Sequence, residues 1–316
     1  MALAEHTTLG IGGKARYWLE AASTVELVEG VSWAIKNHQP YFILGGGSNV
    51  VISDHGYSGL VIKNASKDIL IDELHSVLQV DSGVKSGKAA ATAASASLSG
   101  LEYLFGIPGT VGGAVYGNAG LRGHETKDVV KDVICLEIKN GVPVVVKHTN
   151  AWMQYEYRTS RLKKLRAEVD HPPIILTVRF QLYPARREVI MSRTKEFLQH
   201  RRGGWITESA NERHGTQPVG LKTAGCAFRN PSADPNLAAG KLLDEVGAKR
   251  MTVGGAAVSK EHANFIYNKN GATAADVVKL MQELRQAVYD RYKIELVSEV
   301  ELVGEFDEAH DRSETS

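Results

Sequence analysis

Two glycine-rich stretches hold the residues whose types and spacing could do chemistry. Leu101–Gly120 reads LEYLFGIPGTVGGAVYGNAG, with glycines and one proline set between apolar positions. It is too apolar for a solvated linker and too glycine-rich for a regular helix or strand. Glycine belongs where backbone takes positive φ or must come close to something. Gly112-Gly113, beside Ile107-Pro108-Gly109-Thr110, therefore suggests backbone N–H groups laid against a ligand that carries phosphates. A tight buried loop with no ligand would have the same glycine content. The second stretch runs from apolar Tyr41–Leu44 through Gly45-Gly46-Gly47-Ser48-Asn49 into Val50-Val51-Ile52. Strand, glycine loop and strand make a phosphate cradle unlike two familiar ones. No GxGxxG opens a helix here, since β-branched residues follow Gly47. GxxxxGK[ST] is absent as well.

Such loops need elements to position them. Ala15–Leu19 reads as a strand. Ser23 or Thr24 can cap a helix whose Leu27, Val28, Val31, Ala34 and Ile35 form one buried face, and Pro40 stops it. Tyr41–Leu44 and Leu60–Ile62 complete a small βαβ-type unit. Val77–Val80 is a strand, and Gly87–Ser99 is a helix of small residues that could pack very close to a neighbour. Val133–Ile138 and Val142–Val146 form a hairpin around Asn140-Gly141. Ile174–Leu182 is a strand, and residues 186–204 are a charged connecting helix. Lys241–Leu243 lies in a short helix ended by Gly247. Ala263–Asn268 is a strand. Thr273 and Asp276 open an amphipathic helix through Val277, Leu280, Met281, Leu284 and Val288. Leu296–Val303 alternates as the last strand. The parts that follow are 1–63, 64–204 and 205–306, with a polar tail, 307–316, expected to be disordered.

Composition narrows the class. A chain of 316 residues suffices for two or three domains with cores. At 43% hydrophobic and 23% charged it has an ordinary soluble composition. A net charge of +1 gives no reason to expect nucleic acid or an anionic membrane. No apolar run is long enough to span a bilayer, and no signal-peptide core opens the chain. Cys135 and Cys226 make neither a disulfide framework nor a metal cluster, so no metal is expected. Together these features point to the cytoplasm.

Several motifs in order then resemble one family. TTLGIGG at Thr7–Gly13, GGGSNV at Gly45–Val50, GIPGTVGGAVYGNAG at Gly106–Gly120 and SEV at Ser298–Val300 are similar to the UDP-N-acetylenolpyruvoylglucosamine reductase family across nearly the whole chain. The resemblance implies an α+β fold. A two-part FAD-binding module of the vanillyl-alcohol-oxidase type would occupy 1–63 and 64–204, and a substrate domain 205–306. It implies non-covalent FAD, and no histidine or cysteine stands in the glycine loops to attach a flavin. It implies reduction of UDP-N-acetylglucosamine enolpyruvate to UDP-N-acetylmuramate in peptidoglycan synthesis. NADPH and the sugar nucleotide would use one site in turn. FAD contacts would fall on Gly45, Gly46, Gly47, Ser48, Asn49, Pro108, Gly109, Thr110, Gly112, Gly113, Asn118 and Gly120.

That reaction needs a rigidly held flavin, positive groups at a developing oxyanion and an acid near C2 of the enolpyruvyl group. Tyr155–Ser160 resembles the family's Tyr-Arg-x-Ser motif and assigns the oxyanion to Arg158. A guanidinium is permanently charged and grips a carboxylate with two donors; without the resemblance, an arginine in a polar run is ordinarily a surface residue. Ala224–Pro231 resembles the segment whose serine donates the proton, and here the position is Cys226. A thiol with pKa of about 8.5 stays mostly protonated at neutral pH and is a better acid than a hydroxyl. It is also open to oxidation. The plain alternative for a cysteine is a small buried hydrophobe, and Cys135, inside an apolar strand pattern, is read that way. Ser298–Glu301 resembles the terminal Pro-Glu-Val segment, so Glu299 would orient Arg158 or assist protonation. Glu299 and Glu301 share a strand face by the period-two rule, and the motif alone favours Glu299. Tyr157, Arg213, Gln217, Asn230 and Lys241 are substrate-side candidates, and His262 and Asn264 would order the third part.

The chain departs from the family pattern in places. Cys226 replaces serine, Ser298 stands where proline is common, and Ala256-Ala257 lacks a glutamine often found there. Leu121-Arg122 replaces Ala-Tyr, and Arg122 could meet a phosphate or face water. The short segment between Arg158 and Ile174 resembles the compact type without a tyrosine loop over the substrate. Two other readings compete: a related FAD-dependent oxidase or dehydrogenase of another small hydroxy acid, and a non-catalytic flavin- or nucleotide-binding relative. The sugar-nucleotide motifs within 213–264 oppose the first. The joint presence of Arg158, Cys226 and Glu299 opposes the second.

Overall fold

A computed structural model describes residues 1–203, 218 and 220–306. Arg213, Gln217 and the 307–316 tail lie outside the described residues. In chain order the first elements are β1 (Ala15–Ala21), α1 (Thr24–Lys36), β2 (Tyr41–Leu44), β3 (Val50–Ile52), β4 (Tyr57–Asn64), β5 (Ile69–Asp72), β6 (Val77–Asp81), α2 (Ser86–Ser95) and β7 (Leu98–Ser99). Then come α3 (Val111–Tyr116), β8 (Gly120–Leu121), β9 (His124–Glu125), β10 (Val130–Lys139), β11 (Val142–Thr149), α4 (Arg161–Glu168), β12 (Ile174–Gln181), β13 (Tyr183–Pro184) and α5 (Arg187–Gly203). The last are β14 (Thr223–Cys226), α6 (Ala239–Glu245), β15 (Thr252–Val253), β16 (Ala256–Val258), β17 (Phe265–Asn268), α7 (Ala274–Tyr292) and β18 (Glu301–Val303). They pack into two compact units, one of Trp18–Gly46 and Gly59–Arg201, the other of Met1–Tyr17, Gly47–Ser58 and Arg202–Ser316. The division into 1–63, 64–204 and 205–306 follows chain order, whereas these units follow packing.

In the first unit, α1 begins as its sequence suggests. Ser23 accepts from the Glu26 N–H at 3.2 Å, and Glu26 returns a bond to the Ala22 N–H at 2.9 Å. Leu27, Gly30, Val31 and Ala34 form its buried face. β2 and β4 run parallel, Tyr41 opposite Leu60 through Leu44 opposite Lys63. The main sheet, ordered β11-β10-β12-β6-β5, is antiparallel throughout. Its hairpin turns at Asn140 and Gly141, both at positive φ, as a two-residue primed turn requires. Leu78, Val80, Val133, Cys135, Val178 and Phe180 pack from this sheet against Ala89, Ala90 and Ala93 of α2 and Val111 and Val115 of α3.

The glycine-rich run is not free of helix. α3 forms inside it because Thr110 caps the Gly113 N–H at 3.4 Å. Gly112 lies tight on the chain at Ser82, where an added Cβ would stand 2.8 Å from the Ser82 Cβ. Several short elements leave no pattern in the sequence, β5 and α4 among them: β5 is a four-residue edge strand with one of those residues half-buried and the rest exposed, and α4 buries only Leu162.

In the second unit the sheet runs β14-β17-β16-β15. Leu242 and Leu243 of α6 and Leu280, Leu284 and Val288 of α7 join Val258 and Ile266 in its core. Gly247, at φ +79, follows α6 as the C′ residue. The Thr273–Asp276 capping box opens α7, and the Asp54 carboxylate takes the Ala274 and Ala275 N–H groups at 2.9 and 3.1 Å. The last strand is shorter than Leu296–Val303: only Glu301–Val303 forms a regular strand, parallel to β3, while Ser298 ahead of it makes an isolated antiparallel bridge with Phe228. Glu299 therefore lies outside a regular strand, and its N–H and that of Glu301 bond to different segments.

Candidate active site

Arg158 sits on a tight turn of the first unit. Glu156 and Thr159 exchange both backbone bonds at 3.2 Å, which leaves Tyr157 and Arg158 as the turn's central pair. Arg158 takes φ +56, a region that favours glycine or asparagine at this place. A non-glycine residue persists there only when its surroundings over-determine it. They do so on three sides. The buried Asn118 amide donates to the Glu156 carbonyl at 2.9 Å, and Ser160 donates to the Tyr116 carbonyl at 2.6 Å. The Arg158 Nη2 donates to the Gly120 carbonyl at 2.8 Å, and its guanidinium lies 5.4 Å from the centre of the Tyr157 ring. The Gly-rich run and the Tyr-Arg turn are thus one assembly.

The two glycine loops also meet in this unit. A Cβ on Gly46 would stand 2.5 Å from the Gly109 Cα, and one on Gly45 2.7 Å from the Thr110 Oγ1. The close approach foreseen for these glycines is between the loops themselves. The Val111 and Gly112 N–H groups are used by the fold, bonding to Val84 and Ser82 carbonyls at 2.8 Å each. Pro108 and Gly113 are exposed, Gly109 is half-buried, and beside Gly113 only Thr110 Oγ1 approaches where a Cβ would be. Asn118 spends its other amide atom on the Lys127 N–H at 3.0 Å.

Gly47, Ser48 and Asn49 belong to the second unit with Cys226 and Glu299. Thr8 ties Gly47 to β14: its N–H bonds the Gly47 carbonyl at 2.9 Å and its hydroxyl the Thr223 carbonyl at 2.7 Å. From Thr223 opposite Tyr267 to Cys226 opposite Phe265, β14 carries one more residue than β17. Gly225, at φ +86, supplies that bulge and re-aims the half-buried Cys226. Phe228 pairs with Ser298, and the Glu299 N–H reaches the Ala227 carbonyl at 2.8 Å. The Asn49 amide donates to the Glu299 carbonyl at 3.1 Å, and the Asn49 carbonyl accepts from the Glu301 N–H at 3.0 Å. Cys226 and Glu299 are therefore carried on adjacent, paired backbone.

Asn264 locks that pairing. It is buried, accepts the Phe228 N–H at 2.9 Å, donates to the Phe228 carbonyl at 2.8 Å and takes the Ala227 N–H on its own carbonyl at 2.8 Å. His262 Nδ1 accepts the Asn264 N–H at 3.2 Å. Burial, followed by the Lys249 charge, pushes the His262 pKa down, and Asp244 opposes them. Of the substrate-side candidates, Asn230 accepts the Ala239 N–H at 3.0 Å, Lys241 donates to Asn236 at 2.8 Å, and Tyr157 is exposed. Burial pushes the Cys135 thiol up to about 12, which keeps it an inert core residue. Sequence reasoning missed Ser160 and Thr8 as supports; their partners are backbone carbonyls far along the chain, which leave no local pattern.

Comparison with known proteins agrees with these segments. A family profile described as "FAD binding domain" matches residues 15–145, and one described as "UDP-N-acetylenolpyruvoylglucosamine reductase, C-terminal domain" matches 217–303. The UDP-N-acetylenolpyruvoylglucosamine reductase of Caldicellulosiruptor bescii is 37% identical over 96% of this chain and 90% of its own length. That of Parasynechococcus marenigrum is 36% identical over 96% and 94%. The chain belongs to the UDP-N-acetylenolpyruvoylglucosamine reductase family. The crystal structure of the UDP-N-acetylenolpyruvylglucosamine reductase from Thermus caldophilus has the same fold, with a TM-score of 0.73 and 33% identity over 96% of this chain and 97% of that one. Like its family, the chain is an FAD-dependent α+β oxidoreductase. The residues present fit FAD: two glycine loops in van der Waals contact, an exposed Gly113 whose Cβ position is approached by Thr110 Oγ1 alone, and a lysine ammonium on the Gly45 carbonyl.

Proposed function

We propose that this reductase uses NADPH to convert UDP-N-acetylglucosamine enolpyruvate to UDP-N-acetylmuramate, in the cytoplasm, with NADPH and the sugar nucleotide using one site in turn. FAD, when bound, supplies the hydride that C3 of the enolpyruvyl group receives. Arg158 grips the enolpyruvyl carboxylate and holds the negative charge that builds there. Its turn is fixed before substrate arrives, so little reorganisation is needed. Cys226 gives its Sγ proton to C2 and regains one from solvent, which balances a hydride and a proton added across the double bond. Glu299 orients the guanidinium or supports this proton transfer. Tyr157, Asn230 and Lys241, with Arg213 and Gln217, serve the sugar nucleotide. Gly45–Asn49, Pro108–Thr110, Gly112, Gly113 and Gly120 serve FAD.

The observation that carries this reading is the backbone pairing of the Cys226 and Glu299 segments, with the Glu299 N–H on the Ala227 carbonyl at 2.8 Å. An acid and a carboxylate are held in one frame by Asn49 and Asn264. Cys226→Ala tests it. The variant should accept hydride from NADPH at the wild-type rate and lose turnover of the enolpyruvyl sugar by roughly 10²- to 10⁴-fold, the range for one general acid. Cys226→Ser should keep part of the activity. Normal turnover by Cys226→Ala would mean that the acid lies elsewhere.

A further inference from the structure

Lys63 ends β4 opposite Leu44, and its ammonium donates to the Gly45 carbonyl, where the first glycine loop begins. That carbonyl is its one hydrogen-bonding or ion-pairing partner among the described residues. An ammonium carries three donors, and lysine is almost never buried without a counter-charge. Lys63 is half-buried. Burial pushes its pKa down, Glu20 restores part of this from a distance, and the neighbouring Lys85 ammonium pushes it down again.

Lys85 stands at the other loop. It forms a β-bridge with Thr110, and the next residue, Ser86, donates its N–H to the Gly109 carbonyl at 3.1 Å. Each glycine loop thus has a lysine at its base, and the loops meet at Gly46 and Gly109. The half-buried Lys63 and the exposed Lys85 carry like charges beside one loop junction, and among the described residues no carboxylate forms an ion pair with either, Glu20 acting on Lys63 only through its field. Their placement makes sense if an anion arrives from outside the chain.

We infer that Lys63, helped by Lys85, neutralises the diphosphate of the dinucleotide that binds these loops. The inference rests on the FAD reading above. It assigns the ionic part of cofactor recognition to side chains on β4 and before α2, outside both glycine motifs. The Gly45 carbonyl takes one of the three ammonium donors and leaves the others for the ligand.

The test is titration of apoprotein with FAD and with riboflavin, which lacks phosphate, for wild type, Lys63→Met, Lys63→Arg and Lys85→Met. Lys63→Met should weaken FAD by about ten- to a hundredfold, the size of one charge-assisted hydrogen bond. It should leave riboflavin unchanged and shrink the loss of FAD affinity on raising salt. Lys63→Arg should restore most of the affinity, and Lys85→Met should shift FAD in the same direction as Lys63→Met. Apoprotein carrying Lys63→Met should melt no lower than wild type, because an uncompensated charge has gone. Equal loss of FAD and riboflavin with a lower apoprotein melting temperature would reduce Lys63 to a structural pin and overturn the inference. A wild type that binds FAD no better than Lys63→Met overturns it alone. A wild type that binds no FAD overturns the functional reading with it.

Discussion

Arg158, proposed to grip the enolpyruvyl carboxylate, is held before any substrate arrives. Its left-handed backbone, its bond to Gly120 and the Asn118 and Ser160 bonds on either side hold it as part of a turn. Arg158→Lys keeps the charge and loses the planar fork, so kcat should fall by about 10²-fold with FAD content unchanged. Steady-state rates and the flavin absorbance of the purified variant check both halves. His262 gives a pH dependence. Its Nδ1 accepts the Asn264 N–H, which only an unprotonated nitrogen can do, and burial holds its pKa below the ordinary value. The unfolded chain takes up the proton first. Stability is therefore full well above the unfolded pKa of about 6.5 and is lost as pH falls through it toward the lower folded value. Urea midpoints should begin to drop as pH falls through about 6.5, the value of the unfolded imidazole, and His262→Gln should flatten that drop. At this scale the sequence showed which residues to examine and was silent about their partners within the chain. Asn118, expected at the cofactor, also bonds the chain with both ends of its amide, which its place in the motif does not reveal. A buried asparagine and a ligand-facing one are the same letter.

At the scale of elements, the glycine loops matter through how closely they approach each other. Gly46→Ala would drive a Cβ to 2.5 Å from the Gly109 backbone, where no side chain can swing aside. We expect a loss of about 1–3 kcal/mol in urea unfolding, as for overpacking, together with weaker FAD. Thr273→Ala removes the α7 capping box and should cost about 1 kcal/mol. Caps, turns and amphipathic faces were legible: Ser23, Asn140-Gly141, Gly247 and Thr273–Asp276 all do locally what their types suggest. Helix α3 was hidden by its glycines, because Thr110 and the Ser82 contact outweigh their low propensity. Leu296–Val303 alternates along its length, but only its last three residues form a regular strand, and Ser298 makes an isolated bridge to Phe228 on a different segment. Alternation reports which face is buried and cannot report where a neighbour ends.

For the whole molecule, the units are assembled from separated segments, with the Gly45–Asn49 loop divided between them at Gly46 and Gly47. Nothing local marks that division. The TTLGIGG motif, ahead of β1, lies with β14 and β17 because Thr8 and Asn268 bond across more than two hundred residues of chain. Order along the sequence is silent about such bonds, whereas the set of motifs was enough to place the chain in its family. Among the described residues, no helix is long and apolar enough to cross a membrane. The central claim is that electrons from NADPH reach the enolpyruvyl double bond through one flavoprotein. The direct test follows nicotinamide absorbance in the purified, FAD-loaded protein, with and without UDP-N-acetylglucosamine enolpyruvate. The account predicts sustained NADPH loss only with the sugar nucleotide, matched mole for mole by UDP-N-acetylmuramate. NADPH loss that ignores the sugar nucleotide, or yields no UDP-N-acetylmuramate, would contradict it.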